Sequence, residues 1–496
     1  MKRKRTTFKV VIYNQSFPPM IAPQLAEQIA HFFPFEPTPE QHEALQRLSV
    51  FMLTGTDQQV FLLKGYAGTG KTSLISALIR YLDDREVGCE LLAPTGRAAK
   101  VLASYSGHPA LTIHKKIYRK AVVSGDEGGF SLNFNKHKDT FFIVDEASMI
   151  ANGGGENATF GSGRLLEDLL EYVYSGENCR LILMGDTAQL PPVGQALSPA
   201  LDPVQLRSLG MEAIGIELTQ VLRQAGDSGI LQNATALREH IRNDKVKELP
   251  QIQINKLDVI RLGGDELMDA LTASYAKVGI EESKIVCPSN KRAVLFNKGI
   301  RNSVLYKEDE ITSGDYLLVA KNNYLWSEPY KEIPFIANGD LVEVVRVRKN
   351  YEMYGFRFAD MEVRFPEYDW ELEVRVLLDS LSAESPALDR PSQERLYQDV
   401  VQDYAPHCKT KRELYLALKA DPWLNALQVK YGYAFTCHKA QGGQWKDVFL
   451  DQGYVTEERM GLDYYRWLYT AMTRATERIF LINFKDEFIK NPPDKL

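Results

Sequence analysis

Apolar and polar positions change their period along this chain, and the changes mark out its elements. Between residues 61 and 186 short unbroken apolar runs alternate with helix-like stretches: FLLKG (61–65), ELLAPT (90–95), TFFIVDE (140–146) and RLILMGD (180–186). Such runs suit parallel strands covered on both faces, and the polar residues that end them fall where parallel sheets gather ligands. A second set begins near residue 216 with KIVCPS (284–289) and resumes with YAFTCHKAQG (433–442), DVFLD (447–451) and IFLINF (479–484). In the interruption, FRF (356–358), EVRF (362–365) and ELEVRVL (371–377) alternate with the two-residue period of half-buried strands. The pattern predicts an α/β protein of two P-loop-type parallel-sheet domains, the second split by a small antiparallel barrel. Helix-like sequence at 393–429, broken at Pro406 and Pro422, is expected to extend the barrel.

Two smaller features interrupt the first domain. Residues 105–138 carry six Lys/Arg against two Asp/Glu, and SGDEGG (124–129) between strand-like arms reads as a hairpin turn. The stretch ANGGGENATFGSG (151–163), with five glycines, reads as a loop and suggests no role.

Length and charge narrow the picture. At 496 residues, about three domains are expected. A net charge of −6 gives no overall attraction to nucleic acid, so any strand must find a local basic surface. Residues 360–405 hold twelve acidic and four basic side chains, which makes them a poor bed for a phosphate backbone. Five scattered cysteines form no CxxC pair, and no apolar run is long enough to span a bilayer. The basic start MKRKR is not followed by the apolar core of a signal peptide. A soluble, cytoplasmic protein with no membrane partner is expected.

The chemistry is anchored by Gly65-Tyr-Ala67-Gly68-Thr69-Gly70-Lys71-Thr72, a GxxxxGKT between a strand and a helix. Its glycines let backbone N–H groups wrap phosphates, Lys71 reaches the β/γ oxygens and Thr72 binds Mg²⁺, with Ser73 beside it. Asp145 and Glu146 end the next core strand, placed to hold Mg²⁺ and to polarise the attacking water respectively. Gln189, in GDTAQLPP (185–192), is suited to sense the γ-phosphate.

In this order the motifs resemble superfamily 1B DNA helicases of the RecD/Dda-like group, over residues 35–484. The resemblance implies two RecA-like ATPase domains (35–215; 216–311 with 431–496), an inserted SH3-like barrel with helices (312–430) and a separate segment 1–34. FEPTPEQ (35–41) is similar to the Q motif, in which Gln41 would read adenine. LTQVLRQ (218–224) and YTAMTRA (469–475) resemble motifs IV and VI, which would supply Arg223 and Arg474 as arginine fingers. APTGRAA (93–99), LTIH (111–114) and FTCHKAQG (435–442) resemble motifs Ia, Ib and V. They imply single-strand contacts from Thr95, Thr112, His114, Thr436, His438 and Lys439, and a nucleotide contact from Gly442. Trp445 and Phe296 are expected in the core rather than stacked on bases. The hairpin at 117–134 occupies the family's position for a strand-separating pin. The implied activity is an ATP- and Mg²⁺-dependent 5′→3′ helicase, acting as a monomer on single-stranded DNA and on junctions of single and double strand. The residues leave open an RNA or RNA–DNA substrate, a RecD-like subunit working through partners, and an ATP-gated binding module.

Overall fold

The computed structural model describes residues 21–120, 130–153, 160–221, 228–330, 335–366, 370–456 and 460–490. The first half of the chain makes β1 Gln59–Gly65, β2 Gly88–Ala93, β3 Ala110–Thr112, β4 Tyr118–Lys120, β5 Phe130–Leu132, β6 Thr140–Val144, β7 Arg180–Gly185 and β8 Glu212–Leu218. Six of these form one parallel sheet in the order β3-β2-β6-β7-β1-β8. Every residue of β6 and β7 is buried, which is why both read as unbroken apolar runs. The order β6-β7-β1 sets three carboxyl ends side by side, so the loops after Val144, Gly185 and Gly65 meet. The helix Lys71–Asp84 starts from Gly70 at φ 82°, a left-handed conformation that glycine adopts without strain. Leu74, Ile75, Leu78 and Leu82 of that helix bury its apolar face against the sheet.

The arms of the expected hairpin pair antiparallel: Tyr118 lies opposite Leu132, Arg119 opposite Ser131 and Lys120 opposite Phe130. Its turn at 124–129 lies outside the described residues. The base of the hairpin is an aromatic cluster, with Phe130 4.8 Å from Phe160 and 4.9 Å from Tyr324 between ring centroids. Phe160 belongs to the glycine-rich stretch 151–163, whose residues 154–159 are not described. There Gly161 N donates to Phe130 O (2.7 Å), and Tyr118 Oη donates to Asp168 (2.6 Å). The stretch that suggested no role thus buttresses the hairpin.

The second half makes β9 Ile252–Gln253, β10 Val259–Leu262 and β11 Ser283–Cys287. It then builds β12 Tyr316–Val319, β13 Leu341–Met353, β14 Phe356–Phe365, β15 Trp370–Leu377 and β16 Leu427–Tyr431. The chain returns through β17 Ala434–Thr436, β18 Trp445–Asp451, β19 Ala475–Ile482 and β20 Ile489–Lys490. A parallel sheet, β10-β19-β18-β11-β17, carries the second domain, and β12 to β16 close into a barrel. FRF and EVRF prove to be two ends of the one strand β14. The long β13 escaped the alternation test because its outer half is largely exposed and polar, from Arg346 to Met353.

Asp315 fastens the barrel to the second sheet. Fully buried, its carboxylate accepts from Arg301 (3.0 Å), Lys307 (3.0 Å) and Tyr433 Oη (2.7 Å), the kind of pairing a buried charge requires. The helices Arg390–Tyr404 and Lys411–Ala420 pack on the barrel through Leu396, Val400 and Leu418. Some of the acidic stretch is neutralised within the barrel, as Arg375 pairs with Asp360 and Arg357 with Asp379, both at 2.7 Å. The barrel also reaches the first domain: Lys100 Nζ donates to Pro366 O (2.8 Å), and Lys115 Nζ lies 4.4 Å over the Trp370 ring.

Candidate functional site

The phosphate-binding loop after β1 opens into a cleft of about 760 Å³ between the two parallel-sheet domains. Ala67, Gly68, Gly70, Lys71 and Thr72 line it from the first domain, with Asp145, Glu146, Asp186 and Gln189. Gly442 and Arg474 line it from the second. Gly65, Thr69, Ser73 and Gln41 do not face the cavity. Lys71 Nζ folds back to donate to Gly65 O (2.6 Å) and Tyr66 O (2.9 Å), holding a cation in the loop that phosphates would otherwise fill.

Asp145 sits at the end of β6, where Tyr105 Oη donates to it (2.7 Å) and Glu146 N donates to its other oxygen (2.7 Å). Burial, reinforced by the Glu146 charge, pushes its pKa up to about 6. A buried carboxylate in this state gains from a cation, and Thr72 faces the same cavity with a hydroxyl. The pair fits Mg²⁺, which takes one or two protein ligands and fills the rest with water and phosphate. Glu146 has φ 51°, a strained conformation for a residue with a side chain, and lies 3.8 Å from Arg474. Arg474 is almost fully buried, donating to Thr470 O (3.0 Å) and Gly443 O (3.2 Å).

The two domains are bolted together around this cleft. Tyr469 Oη donates to Asp186 (2.6 Å) and accepts from Ala67 N (3.0 Å) inside the phosphate-binding loop. Leu190 N donates to Thr470 Oγ1 (2.8 Å), and Gln441 Nε2 donates to Leu190 O (2.6 Å). Arg97 donates to Gln444 O (2.9 Å) while its guanidinium lies 4.7 Å over the Trp445 ring. Gly442, at φ 72°, comes so near the first domain that a Cβ would stand 2.9 Å from that of Ala98. Gln189 is buried with its Oε1 unpartnered among the described residues, as a side chain waiting for a ligand would be.

Residues 37–253 match the AAA domain family, and residues 431–482 match the UvrD-like helicase C-terminal domain. The chain belongs to the superfamily 1B helicases of the RecD, Dda and Pif1 group. It is 27% identical over 432 residues to the ATP-dependent RecD2 DNA helicase of Deinococcus radiodurans, covering 85% of this chain and 46% of that protein. The chain therefore spans about half the length of that relative. The ATP-dependent DNA helicase dda of Enterobacteria phage T4 is 24% identical, with 85% of this chain and 93% of that protein covered. The ATP-dependent DNA helicase Pif1 of Bdellovibrio bacteriovorus is 32% identical over 166 residues, 32% of this chain and 33% of its own.

In this RecD/Dda/Pif1-group chain several residues expected to touch nucleotide or strand have partners within the protein. Gln41, expected at the adenine, is fully buried: its Oε1 accepts from Thr38 N (3.0 Å) and its Nε2 donates to Thr69 O (3.1 Å). Its amide closes a capping box and braces the phosphate loop from behind. Thr95 and Thr112 cap their own helices, accepting from Ala98 N and Lys115 N (both 3.2 Å). His114 packs edge-on to Phe160, and burial lowers its pKa to about 4, so its ring is neutral and held in the aromatic cluster. Thr436, His438 and Lys439 share the short turn after β17. Lys439 Nζ donates to Asn338 Oδ1 (2.7 Å), and burial lowers its pKa to about 8. Arg223 lies outside the described residues. Trp445 is in the core as expected, and Phe296 packs against it from the edge.

Sequence reasoning missed Tyr105, Asp186, Tyr469 and Glu40. The Glu40 carboxylate accepts from Thr219 N (2.7 Å) and Gln220 N (2.8 Å), fixing the segment that leads to Arg223. Asp186 carried a signal, a carboxylate closing a fully apolar strand. Tyr469 opens the motif VI stretch, but nothing in that pattern gave its side chain a role.

Proposed function

We propose that the chain is an ATP-dependent DNA helicase that moves 5′→3′ along single-stranded DNA and opens duplexes at junctions. The observation that carries this reading is the reach of the second domain into the phosphate-binding loop, through Tyr469 on Ala67 N and Arg474 on Glu146. A nucleotide there touches both domains, so its hydrolysis alters their separation and ratchets a strand held across them.

Mg-ATP would supply the phosphoanhydride to be cleaved, and Thr72 and Asp145 would hold the metal. Lys71 leaves the carbonyls of Gly65 and Tyr66 for the phosphate oxygens. Glu146 orients and polarises the water, and Gln189 reads the γ-phosphate. Arg474 exchanges Glu146 for the charge that develops in the transition state, which ties turnover to domain closure. Direction rests on the resemblance to the RecD and Dda group alone. Strand displacement by the purified chain on 5′-tailed and 3′-tailed DNA and RNA duplexes tests the reading. Opening of 5′-tailed DNA supports it; opening of 3′-tailed duplexes only, or of RNA only, overturns direction or substrate.

A further inference from the structure

The helix Gly96–Ser106 runs beside the nucleotide cleft and ends on the carboxylate assigned to the metal. Ala98, Val101 and Tyr105, spaced by three and four residues, share one helical face, and all three line the cleft. At the end of that face Tyr105 Oη donates to Asp145 Oδ2 (2.7 Å), while Glu146 N donates to Asp145 Oδ1 (2.7 Å). Both oxygens are thus engaged, one by the backbone of the adjoining residue and the other by a side chain from a different element.

Each oxygen of an ionised carboxylate accepts two hydrogen bonds, so one donor at each leaves room for a cation. What the two donors remove is rotation of the carboxylate plane about the Cβ–Cγ bond. A phenol keeps its proton at neutral pH, so Tyr105 serves as the donor of its pair. The ring is itself braced: it packs against the core of the first domain, and Ser76 Oγ donates to Tyr105 O (3.4 Å). Ser76 lies on the helix Lys71–Asp84, one turn after Thr72. The same contacts therefore hold Thr72 and Asp145 in register. The start of the helix 96–106 is held from outside the first domain, by Arg97 on Gln444 O (2.9 Å) and Lys100 on Pro366 O (2.8 Å).

We propose that Tyr105 is a positioning residue for the metal: it locks the plane of the Asp145 carboxylate and makes cation affinity depend on the seat of the helix 96–106. The inference rests on the reading of Thr72 and Asp145 as the pair that holds Mg²⁺. Tyr105 touches neither cation nor phosphate in this role; it acts through Asp145.

Binding of the fluorescent nucleotide mant-ADP to the full chain, in EDTA and across a Mg²⁺ titration, tests this. Tyr105→Phe keeps the ring and removes the hydroxyl. Its affinity for mant-ADP in EDTA matches the parent, which also shows that the site is folded. The Mg²⁺ concentration that gives half of the tightening rises about 10- to 100-fold, the usual loss when a group that orients a metal ligand is removed. ATP turnover by the variant is low at limiting Mg²⁺ and climbs toward the parent value as Mg²⁺ is raised. Arg97→Ala, which frees the start of the helix, also weakens Mg²⁺ in the parent but adds little to the loss in Tyr105→Phe. Mg²⁺ dependence in Tyr105→Phe equal to or tighter than the parent overturns the proposal, as does a loss of mant-ADP binding that is the same with and without Mg²⁺. Additive losses in the double variant overturn the link to the helix. A parent whose mant-ADP binding ignores Mg²⁺ overturns the metal pair and the positioning role with it, whereas the strand-displacement experiment decides the helicase reading separately.

Discussion

Tyr469 and Asp186, 283 residues apart in sequence, share a 2.6 Å hydrogen bond across the cleft between the two sheets. The same phenol accepts from Ala67 N, so one oxygen joins the second domain to two strand ends of the first. Asp186 is fully buried, and burial raises its pKa, with Lys71 and the Tyr469 hydroxyl opposing the rise. Tyr469→Phe keeps the ring and removes the joint. Strand-stimulated ATP turnover should fall about 5- to 150-fold, the usual span of coupling between sites, with a smaller loss in the absence of DNA. Steady-state ATPase with and without oligothymidylate checks this; an equal loss in both conditions assigns the bond to folding rather than coupling.

Lys71→Ala should abolish turnover, because no other ammonium lines the cleft among the described residues. Glu146→Gln should retain nucleotide binding and lose about 10²- to 10⁴-fold in turnover, as expected when a group that handles the water's proton is removed. Fluorescent-nucleotide binding beside single-turnover hydrolysis separates the two effects. Full activity in Lys71→Ala refutes the site assignment.

Arg474 has two tasks, and one variant separates them. Its buried guanidinium ties Thr470 O to Gly443 O and also faces Glu146. Arg474→Ala should cost about 10³- to 10⁵-fold in kcat with ATP affinity little changed, as for an arginine finger. It should also lower Tm, since the carbonyls it serves lose a charged donor. Arg474→Lys keeps the charge without the fork and should recover Tm more than kcat. Loss of ATP binding with kcat intact would place Arg474 in ground-state recognition.

Acid should loosen the base of the hairpin through His114. Burial holds its folded pKa near 4, with the Asp168 carboxylate opposing, against an unfolded value of 6.5. The folded state thus binds fewer protons between those values, so this contribution is complete above pH 6.5 and falls away as pH drops toward 4. The shift corresponds to at most about 3 kcal/mol. His114→Phe should flatten the fall in urea midpoint between pH 7.5 and pH 5. An unchanged pH profile in that variant removes His114 as the cause.

What the sequence revealed was local. The phosphate loop, Asp145, Glu146 and Gln189 each end a continuous apolar run, so position and chemistry could be read together. The TPEQ of residues 38–41 also spelled a capping box, a pattern that accounts for Gln41 without any nucleotide. Thr95 and Thr112 stand where threonines cap helices, the work both side chains do. The joints across the cleft were not legible. Tyr469 looks like any aromatic on a buried helix until folding sets it against Ala67 and Asp186, and Phe160 looks like an interruption in a glycine-rich loop until Phe130 closes on it.

The hairpin offers the sharpest separation of movement from unwinding. A wedge must be stiff at its root, and the root here is Phe130 packed among Phe160, Tyr324 and Phe335. Two of those rings, Tyr324 and Phe335, come from the barrel insertion, which the buried Asp315 network fixes to the second domain. Replacing the whole segment 119–132 would remove Phe130 and disturb this cluster, confusing a wedge defect with a folding defect. Exchanging only residues 121–129 for a short Gly-Ser linker leaves both paired arms and every nucleotide contact in place. Strand-stimulated ATPase and displacement of streptavidin from a biotinylated single strand should then persist, while opening of 5′-tailed duplexes collapses. Phe130→Ala should give an intermediate result, with unwinding reduced more than ATPase and a stability loss of about 3–5 kcal/mol for a buried ring. Unwinding at the parent rate after the 121–129 exchange would show that the hairpin is not the wedge. Loss of ATPase in the same variant would make it a structural part of the motor.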